Sequence, residues 1–577
     1  MSRIEKRWNI LPPSPEAAAL GRRLGLSGIG AQLLLNRGIE DLETARRFLQ
    51  PELNHLHDPS LMPGLEEAAA RILRAVEKGE RIVIYGDYDV DGMSATAILM
   101  RCLRLLGATP AYYVPDRLEE GYGLNADAVR KIAADGADLI VTVDCGIGAV
   151  AEIALAAELG VETIVTDHHE PGDVPPPGAL VINPKLPGST YPFRDLAGAG
   201  IAFKLAWAVG KSMSGGGRVA PEFKEFLLDA VCLAALGTIA DVVPLCGENR
   251  TLAHFGLKAI AASVAPAMVA LREAAGFKEG RFTAMDVAYR ITPRLNAAGR
   301  LGSARRGVEL LTADSLEHAR EIAARLTNEN SRRQRIQEKV LAEALAMLEA
   351  EGGAADRRTI VLAGEGWHAG VVGVVAARLT QEYWRPTVLL TLEDDVGHGS
   401  ARAVAPMHLF DALQRCADRL IAFGGHARAA GMRLRREDLD AFKRDFEAAA
   451  AEQLSAEDLV PVLDVDGETR LADIDARLLG DIERLAPFGE GNSEPVLASR
   501  GVTAPAGARR MGTGGRHLNF YANQNGAAFR AVAFGRGDLA EAIERAQALD
   551  IAYVPRVNRY RGRESIELDV RDIKIVS

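Results

Sequence analysis

The segment Ile82-Val83-Ile84-Tyr85-Gly86 runs directly into Asp87-Tyr88-Asp89-Val90-Asp91-Gly92. A short run rich in Ile and Val that ends in Gly predicts a strand buried on both faces, as in a parallel sheet. Ligands of such sheets sit beyond the carboxyl ends of the strands, where Asp87, Asp89 and Asp91 stand. Gly92 is placed to open a helix over Met93 to Leu106. One Asp can cap that helix, but three cannot. Clustered carboxylates raise one another's pKa unless a cation compensates, so the triplet points to metal.

The pattern recurs. Leu139-Ile140-Val141-Thr142-Val143 leads into Asp144-Cys145-Gly146, and Glu162-Thr163-Ile164-Val165-Thr166 leads into Asp167-His168-His169. Asp241 ends the uncharged stretch Ala230 to Ala240. Four apolar segments each delivering an acid or His at their carboxyl end predict one shared metal site. Carboxylates with imidazole and no thiolate suit Mn2+ or Mg2+ better than structural Zn2+. The five Cys form no Cys-x-x-Cys pair, so neither a zinc cage nor a disulfide framework is indicated. Cys145 lacks an activating base nearby in sequence and reads as a small buried thiol. A reducing, cytoplasmic compartment fits that cysteine usage.

Breakers divide the chain. Residues 1–54 read as a helical lead-in and 55–310 as a doubly wound α/β unit with a parallel sheet. Neither Gly nor Pro occurs from Val308 to Glu351, while Ile336, Val340, Ala344 and Leu348 recur at helical spacing, so 311–352 reads as a long connecting helix. A second α/β unit spans 353–457, and short alternating runs punctuated by Gly predict a small OB-like β-barrel over 458–577.

At 577 residues the chain needs several cores. No apolar stretch approaches the roughly 18 residues of a membrane span, and the opening Met-Ser-Arg-Ile-Glu-Lys-Arg has no apolar signal core, so neither a membrane nor export is expected. A net charge of −10 argues against a broadly basic nucleic-acid binder. Its distribution does not. Residues 501–577 hold 12 Lys and Arg against 8 Asp and Glu, interleaved with Phe520, Tyr521, Phe529, Phe534, Tyr553 and Tyr560. Aromatics beside Arg suit stacking of single-stranded bases, although part of this set must fill the barrel core. Arg509, Arg510 and Arg516 flank a Gly-rich turn and are the better surface candidates.

The ordered set Gly-Asp-Tyr-Asp-Val-Asp-Gly, Asp-Cys-Gly, Asp-His-His and Ala-Asp-Val-Val-Pro-Leu resembles the DHH phosphoesterase superfamily. Four further stretches resemble its bacterial single-strand-specific 5′ to 3′ exonuclease branch over nearly the whole chain. They are Trp8 to Pro12, Leu56-His57-Asp58-Pro59, Thr292 to Arg300, and Ala486-Pro487-Phe488-Gly489-Glu490-Gly491-Asn492. The resemblance implies two divalent ions, Mn2+ or Mg2+, with Asp89 and Asp91 on different ions, Asp144 between them, and His168 and Asp241 completing the second site. It places Asp87 as a ligand or an acceptor beside one, His169 facing the scissile phosphate, and Asp167 orienting His168. Arg117, Arg300, Ser400 and Arg402 would gather around the 5′ end, and Gly424, Gly425 and His426 match a Gly-Gly-His element that holds substrate. Asn330 to Gln334 is a further candidate contact, whereas His368 and His398 match nothing.

The implied activity is release of mononucleotides from single-stranded DNA in repair and recombination, by a monomer working with single-stranded-DNA-binding protein and repair helicases. Two alternatives remain: an oligoribonuclease or cyclic-dinucleotide phosphodiesterase of the same superfamily, and a non-catalytic DNA-binding relative. The basic C-terminal region weighs against the first and the intact ligand set against the second.

Overall fold

The computed structural model describes residues 5–116, 120–121, 123–172, 174–277, 282–301, 304–560 and 563–576, without the side chains of Arg300, Leu301, Tyr560 and Arg563. The catalytic unit is built on five parallel strands. Their order is Ala111–Tyr113, Ile82–Gly86, Leu139–Val143, Glu162–Thr166 and Leu180–Ile182. Ile82 and Ile84 point into one core with the helices Leu65–Lys78, Val90–Leu105 and Gly198–Met213. Val83 and Tyr85 point into a second core with Ala126–Ala134 and Val150–Glu158. Burial on both faces is why the strand sequence is continuously apolar rather than alternating. The chain leaves the first strand in one direction and returns on its other side, so the switch point lies between Ile82–Gly86 and Leu139–Val143.

The strand and helix alternation expected as far as residue 310 stops at Ile182. From Gly198 to Leu301 the described residues form helices, and Asp241 follows the helix Pro221–Ala240. That apolar run is buried by packing against the helices Val90–Leu105 and Gly198–Met213, not by a sheet.

The connecting helix is also shorter than its Gly- and Pro-free stretch. A helix Arg305–Leu311 ends before Ser315, whose side chain accepts from His318 N and starts the 35-residue helix Leu316–Ala350. An N-cap is worth about 1 kcal/mol, enough to set a start that apolar periodicity does not mark. This helix is about 52 Å long. Its first half, through Ala319, Ile322 and Leu326, belongs to the catalytic core, and its second half, through Val340, Ala344 and Leu348, to the next unit.

The second unit has the strand order Ala422–Gly425, Ala429–Arg435, Val396–Arg402, Thr387–Glu393 and Ile360–Glu365, parallel only between the last two. The C-terminal unit is a seven-stranded sheet curled on itself, closed by paired hydrogen bonds between Thr503 and Asn523.

The N-terminal segment holds the helices Ala17–Leu24, Gly28–Leu35 and Leu42–Leu49, and it packs on the C-terminal unit. Arg7–Ile10 is a strand paired in parallel with Val462–Val465, and Leu33, Leu34 and Leu49 share a core with Leu478, Ile482, Phe520 and Tyr553. Eight-residue helices cannot bury an apolar face by themselves, and the barrel supplies the surface.

Candidate metal centre

The strand Ile82–Gly86 ends at Asp87, which is 2% exposed. Asp89 caps the next helix, its Oδ1 accepting from Asp91 N at 2.8 Å and Gly92 N at 3.0 Å. The helix therefore begins at Val90, three residues before Met93. One oxygen of Asp89 is a cap and the other is left to the site, so capping and ligand roles coexist. Asp91 is fully buried and accepts from Gly198 N at 2.6 Å and Ala199 N at 2.9 Å, at the start of the helix Gly198–Met213. Asp144 ends its strand at φ 62, a left-handed conformation that costs on the order of 1–3 kcal/mol and turns the carboxylate into the site.

These residues converge with His168 and Asp241. Ligand atoms of Asp87, Asp89 and Asp144 lie within 4.8 Å of one another, as do those of Asp91, His168 and Asp241. Asp144 also falls in such a group with His168 and His169, so it borders both. His168 Nε2 is 3.1 Å from Asp144 Oδ1, 3.5 Å from Asp241 Oδ2 and 3.8 Å from Asp91 Oδ2. That nitrogen is buried without a hydrogen-bond partner among the described residues. Burial and the neighbouring His169 pull His168 down to about 3, so the ring is neutral. Burial and the neighbouring carboxylates push Asp91 and Asp144 well above the usual range, and burial with Asp89 pushes Asp241 up to about 7. Buried carboxylates this close repel one another when ionised unless a cation lies between them. The donors, oxygens with one imidazole nitrogen, fit Mn2+ or Mg2+.

Asp167 does not orient the His168 ring. Its Oδ1 is 2.7 Å from His169 Nδ1 and accepts from the backbone of His168 and His169, and its Oδ2 accepts from Ile147 N. His169 is the histidine whose ring turns back over the strand end. Burial lowers its pKa, but the Asp167 bond and charge outweigh that and hold it above the ordinary value. Cys145 is fully buried and its thiol is pushed well up by burial, which leaves it inert.

Two glycines that the sequence reading passed over make the centre possible. A Cβ at Gly198 would stand 2.6 Å from Asp144 Cβ, and one at Gly237 would collide with Asp91 Oδ1 and Ala199. A glycine inside an apolar helical run was the available signal.

The substrate candidates divide. Arg117 lies outside the described residues, and Arg300 is described only as backbone of the helix Thr292–Leu301. That helix touches Ala369–Tyr383 of the second unit. Against Ala369–Tyr383 sits the strand carrying Arg402, whose Nη1 donates to Ser400 Oγ at 3.0 Å and Ala401 O at 2.7 Å. Strand register sets Ser400 opposite Gly431 and Gly431 opposite Gly424, with Gly424, Gly425 and His426 exposed at that edge. His368 caps the helix Ala369–Tyr383. On the long helix Asn330 is buried and Arg332 exposed. In the barrel, Phe520 and Tyr553 fill the core, while Tyr521 and Phe534 are 57% and 56% exposed. Arg509 and Arg516 are exposed on the same unit.

The pattern of the DHH family, N-terminal domain, matches residues 81–235, the DHHA1 domain matches 356–452 and the RecJ OB domain matches 465–572. The chain is 37% identical to the single-stranded-DNA-specific exonuclease RecJ of Bacillus subtilis, over 99% of this chain and 71% of that one. It is 38% identical to RecJ of Thermus thermophilus, over 98% and 78%. Its structure is similar to that of Thermus thermophilus RecJ in complex with Mn2+, with a TM-score of 0.84 and 34% identity, covering 100% of this chain and 80% of that chain. The Mg2+ complex of the same protein matches with a TM-score of 0.78 and 32% identity, covering 100% and 79%.

Proposed function

The chain belongs to the RecJ family of single-stranded-DNA-specific exonucleases, and from that premise we propose that it releases mononucleotides successively from the 5′ end of single-stranded DNA. The observation that carries the chemistry is the pair of acidic groups bordering on Asp144 at the sheet's switch point. Asp87, Asp89 and Asp144 would hold one divalent ion, and Asp91, His168 and Asp241 the other. When bound, such ions activate a water and offset charge on the phosphate undergoing displacement.

The protein's own groups do the rest. Gly198 N and Ala199 N fix the Asp91 carboxylate, and the Asp89 cap fixes the turn. His169, its pKa held above the ordinary value by Asp167, is the donor to the scissile phosphate, where a placed donor is worth about 2.7–4 kcal/mol. Arg402, held by Ser400, offers a planar donor to the terminal phosphate, and Arg117 and Arg300 belong to the same end-recognition set. The exposed glycine backbone at Gly424 and Gly425 and the His426 imidazole border the path of the first nucleotides. Beyond them, Tyr521, Phe534, Arg509 and Arg516 stack and pair with the trailing strand. A monomer acting in cytoplasmic repair with single-stranded-DNA-binding protein and helicases completes this reading. No single described helix is long and apolar enough to cross a membrane.

The test is incubation with Mn2+ and a single strand labelled at either end, beside a blunt duplex. Immediate release of labelled mononucleotide from the 5′-labelled strand is expected, with late release from the 3′-labelled one and none from the duplex. Earlier release of the 3′ label would overturn the polarity, and cleavage confined to di- to tetranucleotides would move the assignment to an oligonucleotide phosphodiesterase.

A further inference from the structure

Three consecutive polar residues, Glu248, Asn249 and Arg250, are each no more than 2% exposed in the first turn of the helix Gly247–Ala262. Glu248 pairs with the buried Lys204 at 2.6 Å and accepts from His57 N and Tyr191 Oη. Asn249 Nδ2 donates to Asp195 O at 2.5 Å and Pro244 O at 3.1 Å. It thus ties the loop after Asp241 to the segment whose next amides, Gly198 and Ala199, hold Asp91. Arg250 stacks 3.7 Å over the Phe48 ring and donates to Phe48 O, Arg484 O, Leu485 O, Ala486 O and Pro487 O. A buried cation met by five carbonyls is a fixed anchor, because any displacement leaves charge and acceptors unsatisfied.

The anchored C-terminal loop also meets the segment that follows Asp241, at Pro244 and Leu245. Glu490 O accepts from Leu245 N at 2.7 Å, a Cβ at Gly489 would lie 2.7 Å from Leu245 Cδ1, and one at Gly491 would lie 3.0 Å from Pro244 Cβ. Between Asp241 and Pro244, Val242 is held at φ 61, a conformation that a β-branched residue keeps only when its surroundings impose it.

We propose that Asn249 and Arg250 are positioning residues that make the placement of Asp241 and Asp91 depend on the seating of the C-terminal barrel, so that the 486–491 loop acts on the metal centre from outside it. The inference rests on the metal reading above. Coupling of this kind is reciprocal: divalent ions at the centre tighten the barrel's seat, and a loosened seat weakens the ions.

The experiment measures Mn2+ binding calorimetrically to the full-length wild type, Asn249→Leu and Gly489→Val, with circular dichroism as the check on folding. Hydrogen exchange of residues 484–492 is followed with and without Mn2+. Expected are a loss of Mn2+ affinity of about tenfold in both variants, the scale found for outer partners of metal ligands, and Mn2+-dependent protection of 484–492 in the wild type. At saturating Mn2+, kcat falls and KM for DNA does not rise. Gly489→Val sits in the outer loop and presses on Leu245 without altering Asn249 or Arg250, so it carries the test if Asn249→Leu fails to fold. Wild-type Mn2+ affinity in folded Gly489→Val overturns the coupling alone, whereas a wild type that binds no Mn2+ overturns the metal reading itself.

Discussion

His168 Nε2 stands 3.1 Å from Asp144 Oδ1 and faces Asp241 and Asp91 across 3.5 and 3.8 Å. Burying several carboxylates around this ring raises the energy of the ion-free protein, and a cation relieves it. Asp144→Asn should therefore raise the melting temperature of the metal-free protein and remove the stabilisation that Mn2+ gives the wild type. Cleavage should drop on the order of 10³-fold, with single-strand binding retained. A Mn2+-dependent melting shift that survives in Asp144→Asn would contradict the role of this carboxylate.

Asp241, pushed up to about 7 by burial and Asp89, sets a pH dependence with opposite signs in the two states. In the metal-free protein its stabilising effect is complete below its ordinary value of 3.8 and is lost as pH rises through about 7. Metal needs the carboxylate, so Mn2+ affinity should rise with pH through about 7, by about tenfold per unit for each proton displaced, with Asp91 and Asp144 adding protons of their own. His168, already neutral above about 3, adds no proton to this count. Calorimetry at pH 6 in buffers of different ionisation enthalpy checks it: no proton release on Mn2+ binding would rule it out.

His169 owes its raised pKa to Asp167, 2.7 Å from Nδ1. Asp167→Asn should lower that pKa, so the alkaline limb of kcat moves to lower pH as the cationic donor is lost sooner. His169→Gln should cost about 10²–10³-fold in kcat with Mn2+ affinity nearly unchanged. A profile that does not move in Asp167→Asn would separate the pair.

Gly198 leaves room for Asp144, since an added Cβ would stand 2.6 Å from its Cβ. Gly198→Ala is expected to lower Mn2+ affinity by about tenfold or more in a protein whose circular dichroism is unchanged. Full affinity in that variant would mean that the helix start yields without disturbing the ligand.

Tyr521 and Phe534 are exposed on the barrel, whereas Phe520 is buried. Tyr521→Ala and Phe534→Ala should each weaken binding of a long single strand by about 1–3 kcal/mol and leave turnover of short oligonucleotides intact. Phe520→Ala should instead destabilise the fold by about 3–5 kcal/mol. Equal binding losses without a stability difference would reverse the assignment of faces.

The sequence by itself determined the parallel sheet, the carboxyl-end placement of Asp87 to Asp91, Asp144 and the two histidines, and the order of the units, because each depends on short-range pattern. An apolar run buried on both faces looks the same wherever it occurs, and the acid at its end travels with it. Tertiary structure alone decided which imidazole Asp167 holds, that Asp241 arrives on a helix, and that Gly198 and Gly237 open space for Asp144 and Asp91. It also joined Arg7–Ile10 to Val462–Val465 and seated Arg250 among the carbonyls of residues 484–487. Those contacts link positions hundreds of residues apart, and they arise from which surfaces remain uncovered once the local elements have formed, a quantity that no local pattern encodes.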